Sequence, residues 1–244
     1  MKIKIINPNT SSALNEELRR EALKVVRPST EIIAASPEMG PSSIESFYDE
    51  YLSIPGLFKE IRKGDAEEGA DAYVIACFGD PGLLGARELT SAPVLGIAEA
   101  AMTMASMIAA TFSIVTTLPR TRLMSEHLVQ HYGMREKCRS VRTTSLHVLD
   151  VLADPDASVR QIAEECRKAV EEDRAEAIVL GCAAMAAHKA RIERLAGVPV
   201  VDGVLAAVKY CEALVDLGAK TSKSLTFAEP EKKTYTGMLR SFGR

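Results

Sequence analysis

The chain is written twice, and this repeat limits its possible folds more than any other feature. Slid along itself by 105 residues, Ala72-Tyr73-Val74-Ile75-Ala76-Cys77 falls on Ala177-Ile178-Val179-Leu180-Gly181-Cys182, two short apolar runs that each end in cysteine. At nearly the same offset Ala92-Pro93-Val94-Leu95-Gly96-Ile97 falls on Val198-Pro199-Val200-Val201-Asp202-Gly203-Val204, with a proline opening each strand and a glycine after it. A looser third match sets Ile3-Lys4-Ile5-Ile6 and its polar Asn7-Pro8-Asn9-Thr10 against Phe112-Ser113-Ile114-Val115 and Thr116-Thr117-Leu118-Pro119. Each half reads strand, polar loop, helix, strand, then a Cys-bearing loop, helix and strand, the alternation of a parallel sheet flanked by helices. The expected fold is therefore α/β, with two similar lobes of parallel sheets flanked by helices, related by a pseudo-twofold axis, and the active site in the cleft between them. Residues 1–96 with 208–244 read as the first lobe and residues 97–207 as the second.

Local punctuation supports the helices. Thr10 or Ser11 is placed to cap an amphipathic run from Leu14 to Val26 that stops before Pro28. Ser158 to Glu172 has apolar residues at helical spacing with many charges between, and reads as a helix with a solvated face. A last helix from Leu205 to Leu217 ends at Gly218. The run Ile97 to Ala110, with Met102, Met104 and Met107, has more apolar faces than one core contact needs. It reads either as a fully buried helix or as a contact between subunits, and a homo-oligomer is expected.

Open parallel sheets bind ligands outside the carboxyl ends of their strands, where Cys77 and Cys182 both lie. Lobes facing each other across a twofold axis would bring the two thiols to one cleft from opposite sides. Inverting a stereocentre without a cofactor needs that arrangement, because one group removes a proton from one face and another returns it to the opposite face. A thiol titrates near 8.5, close enough to neutrality for one to act as base and the other as acid. A helix is expected over Leu83 to Leu89, and Gly181-Cys182-Ala183-Ala184-Met185 leads into another, so helix N-termini are expected to lower the thiol pKa values and to hold an enolate oxygen. Gly79, Gly181 and Ala183 are small enough to let a substrate lie against the backbone. A cysteine ending an apolar run is ordinarily a buried structural thiol. What singles out this pair is its equivalent placement in the repeat.

Other chemistries find little support. Five cysteines form no Cys-x-x-Cys or zinc-spaced cluster, and Cys138, Cys166 and Cys211 read as surface or core thiols. His127 and His131 stand four apart without a third ligand, while His147 and His188 stand alone, so no metal is expected. The nucleotide fingerprint Gly-x-Gly-x-x-Gly is absent from the Cys77 loop and from the first turn. A net charge of −3 without a Lys/Arg run gives no footprint for nucleic acid or an anionic membrane. The start Met1-Lys2-Ile3-Lys4-Ile5-Ile6 reads as a strand with a polar second face, too charged for a signal peptide, and no stretch is long enough to span a bilayer; a cytoplasmic location is expected. The polar loops Asn7 to Ser11 and Thr116-Thr117 serve equally as helix caps or as substrate-facing donors.

These residues carry a resemblance. Ile6-Asn7-Pro8-Asn9-Thr10, Pro41-Ser42-Ser43-Ile44-Glu45, Val74-Ile75-Ala76-Cys77-Phe78-Gly79-Asp80-Pro81-Gly82, Val115-Thr116-Thr117-Leu118-Pro119-Arg120, Gly181-Cys182 and Val201-Asp202-Gly203-Val204 together resemble the hydantoin/allantoin racemase branch of the aspartate/glutamate racemase superfamily, over nearly the whole chain. The resemblance implies two α/β lobes, no cofactor, Cys77 and Cys182 as acid and base, and a five-membered ureide ring held between the lobes. It also implies pocket positions at Asn9, Ser43, Ile44, Gly79, Thr116, Thr117, Ala183 and Val204, with Ser43 and the threonines bonding ring carbonyls or amides. Two residues depart from the commonest pattern. Gly79 replaces an acidic residue found after Cys-Phe in several hydantoin racemases, and Ala184 stands where glycine is frequent. The missing side chain at 79 leaves room and removes a like charge, which favours a polar, bulky 5-substituent such as the ureido group of allantoin. Gly96-Ile97-Ala98-Glu99-Ala100 also looks closer to the allantoin racemases.

Four alternatives stand beside allantoin racemisation. One is a racemase of amino-acid hydantoins. An aspartate/glutamate racemase would need basic partners for its carboxylates, and the loops singled out carry only Arg120. A malonate decarboxylase needs one protonation and one cysteine. A non-enzymatic ligand-binding protein on the same lobes shows no partner signature.

Overall fold

The computed structural model describes residues 1–243. Strands β1 (Lys2–Ile6), β2 (Glu31–Ala35), β3 (Ala72–Ile75) and β4 (Val94–Gly96) form one parallel sheet in the order β2-β1-β3-β4. Strands β5 (Phe112–Thr116), β6 (Cys138–Thr143), β7 (Ala177–Leu180) and β8 (Val200–Val201) form a second in the order β6-β5-β7-β8. The two orders are the same once the repeat is applied, and β1 over β5, β3 over β7 and β4 over β8 are the three matches found in the sequence. The expected two-lobe α/β fold is the one observed.

Each lobe holds one strand and one helix more than the half-repeat suggested. In the first these are β2 and α2 (Phe47–Lys63); in the second, β6 lies between α5 (Arg122–His131) and α7 (Pro155–Glu171), with the short α6 (Asp150–Ala153) before α7. The helix after β1 is α1 (Ser12–Leu23); its N-cap residue Ser11 makes no side-chain cap bond. The Cys77 loop leads to α3 (Leu83–Leu89), as expected.

Both central strands of each sheet are buried, as parallel strands covered on two faces must be. Alternation sends Ile3, Ile5 and Val74 into the main core shared with the second lobe, and Ile6, Tyr73 and Ile75 into a smaller core under α2 and α3. The polar face expected on β1 is not turned to solvent. Lys4 is fully buried among the second set, its Nζ 2.8 Å from Glu60 and 2.7 Å from Glu68, so charge pairing rather than water satisfies it.

Two long helices tie the lobes together. Helix α4 (Ile97–Ile108) leaves the first sheet and packs on β7, while α9 (Gly203–Asp216) leaves the second sheet and packs on β3, and α4 and α9 lie against each other. Met102 is buried and Met104 half-buried, whereas Met107 and Ile108 are exposed at the end of α4.

Glu212 anchors α9 to the turn after α1. Its carboxylate accepts from the Arg27 N–H at 2.9 Å, from Thr30 Oγ1 at 2.6 Å, and from Lys209. Burial opposes the charge, but the hydrogen bonds from Lys209, Thr30 and the Arg27 backbone outweigh it and hold the pKa at about 2. A depressed folded-state pKa contributes stability that is present above the unfolded value near 4.3 and is lost as pH falls towards 2. Glu212→Gln is therefore expected to cost about 2 kcal/mol at pH 7 and much less near pH 2. Urea midpoints of both proteins between pH 2 and pH 7 check this, and a constant difference across that range contradicts it.

Candidate active site

The carboxyl ends of β1, β3, β5 and β7 converge on one cleft. Asn9 follows β1, Cys77 follows β3, Thr116 ends β5 and Cys182 follows β7, so the two sheets contribute equivalent loops. Cys77 and Cys182 both line it, as do Asn9, Ile44, Gly79, Thr116, Thr117 and Ala183. Ser43 and Val204 do not. Ser43 is half-buried beside Ile44, and Val204 is fully buried in the first turn of α9.

The thiols have matching surroundings. Cys77 accepts a hydrogen bond from the backbone N–H of Gly79, and Cys182 from that of Ala184, each donor two residues further on. These N–H groups lower the thiol pKa values, as expected, but burial outweighs them. Burial pushes Cys182 up to about 11, with Asp202 and Glu45 adding to it. Cys77 is pushed higher still by burial, with Cys182, Glu50 and Asp80 adding to it. Helix dipoles give less help than expected because α3 begins only at Leu83, and Cys182 leads into a 3-10 turn over 183–188 before α8 (Lys189–Ala196).

Buried carboxylates secure the loops behind the cysteines. Asp80 reaches across to cap α4, accepting from the N–H groups of Ala98 at 3.0 Å and Glu99 at 2.9 Å, and from the Tyr132 hydroxyl at 2.7 Å. It fits only because Gly96 has no side chain: a Cβ there would lie 2.1 Å from the Asp80 carboxyl carbon. Asp202 plays the corresponding part for α9, accepting from Leu205 N at 2.9 Å. Burial holds both carboxyls up at about 6.

Polar groups on the wall are oriented from behind. Asn9 Oδ1 accepts from Asn7 Nδ2 at 2.8 Å and from Ser11 N at 2.9 Å, which leaves the Asn9 amide N–H groups for the cleft. Thr116 spends its hydroxyl proton on the Gly181 carbonyl at 2.9 Å and so holds the Cys182 loop to β5; its oxygen remains an acceptor. No lining residue carries a charge. Sequence reading missed Leu14 and Met124, each the third residue of the helix after β1 or β5, and with them Ser125 and Val148. The repeat held a signal for the first two, since they occupy equivalent helices.

The glycine at 79 does not free the site of nearby carboxylates, as expected from its missing side chain. Glu50 of α2 comes up to it, with Cδ and Oε2 each 3.5 Å from where a Gly79 Cβ would be. Among the described residues no group of three or more His, Cys, Asp or Glu could hold a metal ion, and no helix is long and apolar enough to cross a membrane.

Residues 3–211 match a family model described as Asp/Glu/Hydantoin racemase. A hydantoin racemase of Pseudomonas sp. (strain NS671) is 56% identical over 244 residues, covering 100% of this chain and 98% of the relative. The solved allantoin racemase from Klebsiella pneumoniae superposes with a TM-score of 0.96 at 47% identity, over 100% of this chain and 99% of that one. The allantoin racemase AllR of Pseudomonas fluorescens superposes with a TM-score of 0.93 at 38% identity, over 97% and 100%.

Proposed function

The chain belongs to the Asp/Glu/hydantoin racemase family, and from that membership we propose that it racemises 5-substituted hydantoins, allantoin foremost, by passing a proton between Cys77 and Cys182. The observation that carries this reading is the pair of buried thiols at equivalent strand ends of two lobes, lining one uncharged cleft. One thiolate takes the proton from C5 of the ring. The C–H electron pair moves into the adjacent ring carbonyl as an enolate, and the thiol on the other side protonates C5 from the opposite face as the enolate collapses. A thiolate raised by burial is scarce but strongly basic, which suits a carbon acid. Backbone N–H groups beside each cysteine and the free amide of Asn9 are suited to the enolate oxygen and the ring carbonyls, and Thr117 and the Thr116 oxygen to the ring N–H groups.

A neutral ring matches a wall without charge better than an amino-acid dicarboxylate does. Allantoin is placed first because Gly79 leaves space beside Cys77. Amino-acid hydantoins are the second reading, favoured by the 56% identity to a hydantoin racemase and by the apolar Ile44, Met124 and Val148 in the wall. The test is polarimetric decay of enantiopure (S)- and (R)-allantoin beside 5-benzyl- and 5-methylthioethyl-hydantoin, each corrected for spontaneous loss. Both allantoin enantiomers are expected to decay to zero rotation, and faster than the other rings. Faster decay of the benzyl or methylthioethyl ring selects the second reading; no catalysed decay of any ring contradicts both.

A further inference from the structure

Helix α2 carries one carboxyl that neither packing nor charge pairing explains. Glu50 is half-buried, and its carboxyl makes no hydrogen bond or ion pair among the described residues. Its neighbours are otherwise provided for: Ser46 caps the helix with Asp49, and the Glu50 backbone carbonyl accepts from Ser53 at 2.7 Å. An unpaired carboxyl withdrawn from water is costly, and burial with Asp80 nearby raises Glu50 to about 7.

The carboxyl lies beside Gly79 of the cleft wall and is not itself among the residues that line the cleft. Gly79 and Met124 both line it, and a Cβ on Gly79 would touch Glu50 Cδ and Oε2 at 3.5 Å and Met124 Cε at 3.6 Å. Those are ordinary contact distances, so any longer side chain at 79 would stand between Glu50 and the substrate space. At the residue two beyond Cys77, therefore, no side chain stands next to the Glu50 carboxyl.

We propose that Glu50 is a specificity-determining residue whose carboxyl, reached through the gap at Gly79, accepts hydrogen bonds from N–H donors on the 5-substituent of the ring. This rests on the hydantoin racemase reading and sharpens it. The substituent class it selects is one rich in N–H groups, of which the ureido group of allantoin is an example, over alkyl groups of similar size that would leave the carboxyl unpaired. Where a site presents a buried hydrogen-bonding group, an analogue without the partner is rejected far more strongly than one merely a methylene shorter.

The experiment compares kcat/KM for allantoin with kcat/KM for 5-isobutylhydantoin in the wild-type protein, Glu50→Leu and Glu50→Gln. A general loss of folding or of Cys77 basicity scales both substrates together and leaves their ratio unmoved. The ratio is expected to fall about tenfold or more in Glu50→Leu, the loss that follows from removing a hydrogen bond to a charged group. Glu50→Gln keeps one acceptor and should fall between the wild type and Leu; it also serves if Glu50→Leu does not fold. A ratio within twofold of wild type in the folded variants overturns the proposal. So does a wild-type protein that racemises 5-isobutylhydantoin but not allantoin, a result that leaves the racemase reading standing. Wild-type protein inert on both rings overturns the racemase reading itself and this proposal with it.

Discussion

Cys77→Ser and Cys182→Ser are each expected to lower kcat for racemisation by about 10²- to 10⁴-fold, the range spanned by positioned acid–base groups. A serine hydroxyl fits the space of the thiol and can still accept the N–H of Gly79 or Ala184, so the loop geometry is kept. What is lost is a group that ionises within reach of neutral pH, because serine is a weak base without an activating partner and the cleft wall supplies none. Both variants should keep the wild-type urea midpoint to within about 0.5 kcal/mol, as substitutions that break no packing do. Cys138→Ser, on the half-buried edge of β6 and away from the cleft, is the control and should retain full activity. Kinetics near wild type for either cleft variant would mean that a single thiol suffices.

Gly181→Ala is expected to lower both stability and rate, because the added methyl group falls beside Cys182 where there is no room for it. A Cβ there would lie 2.6 Å from Thr116 Cβ and 2.9 Å from Thr116 Cα, and the second of these is backbone that no rotamer change can move. Gly181 is also pinned on both sides, its N–H to the Val115 carbonyl at 2.8 Å and its carbonyl to Thr116 Oγ1 at 2.9 Å. The methyl must therefore push β7 from β5 at the residue preceding Cys182. Overpacking of this kind costs about 1–3 kcal/mol in stability. Displacing a reacting group by about 1 Å costs about 10²-fold in rate. Urea midpoint and kcat/KM measured together check both; an alanine variant with wild-type values of each would show that the contact between Thr116 and Gly181 is not tight.

The repeat made the two sheets legible, because each sheet's inner strands are continuous apolar runs that recur at one offset. The cysteine pair was legible for the same reason. Helix α2 was not, since Pro55 inside it reads as a breaker and its apolar face is short. With α2 hidden, Glu50 could not be seen to approach Gly79, an encounter between residues far apart in the chain. Strand alternation puts Lys4 on a polar second face of β1 but does not show that Glu60 and Glu68 meet it there. Low thiol pKa values were expected from helix N-termini, but burial of both thiols outweighs the backbone N–H groups, and burial follows from neither motif nor spacing. Ser43 and Val204 carry the family's motif, yet only the adjacent Ile44 reaches the wall from the first of those segments.

The two-thiol mechanism is tested most directly by proton NMR of each pure enantiomer in heavy water with Cys77→Ser and with Cys182→Ser, corrected for spontaneous exchange. Each variant keeps one competent cysteine on one side of C5. It should exchange the C5 hydrogen of a single enantiomer for deuterium without racemising it, and the two variants should select opposite enantiomers. Exchange of the same enantiomer by both variants, or of both enantiomers by either, would contradict the assignment of one thiol to each face.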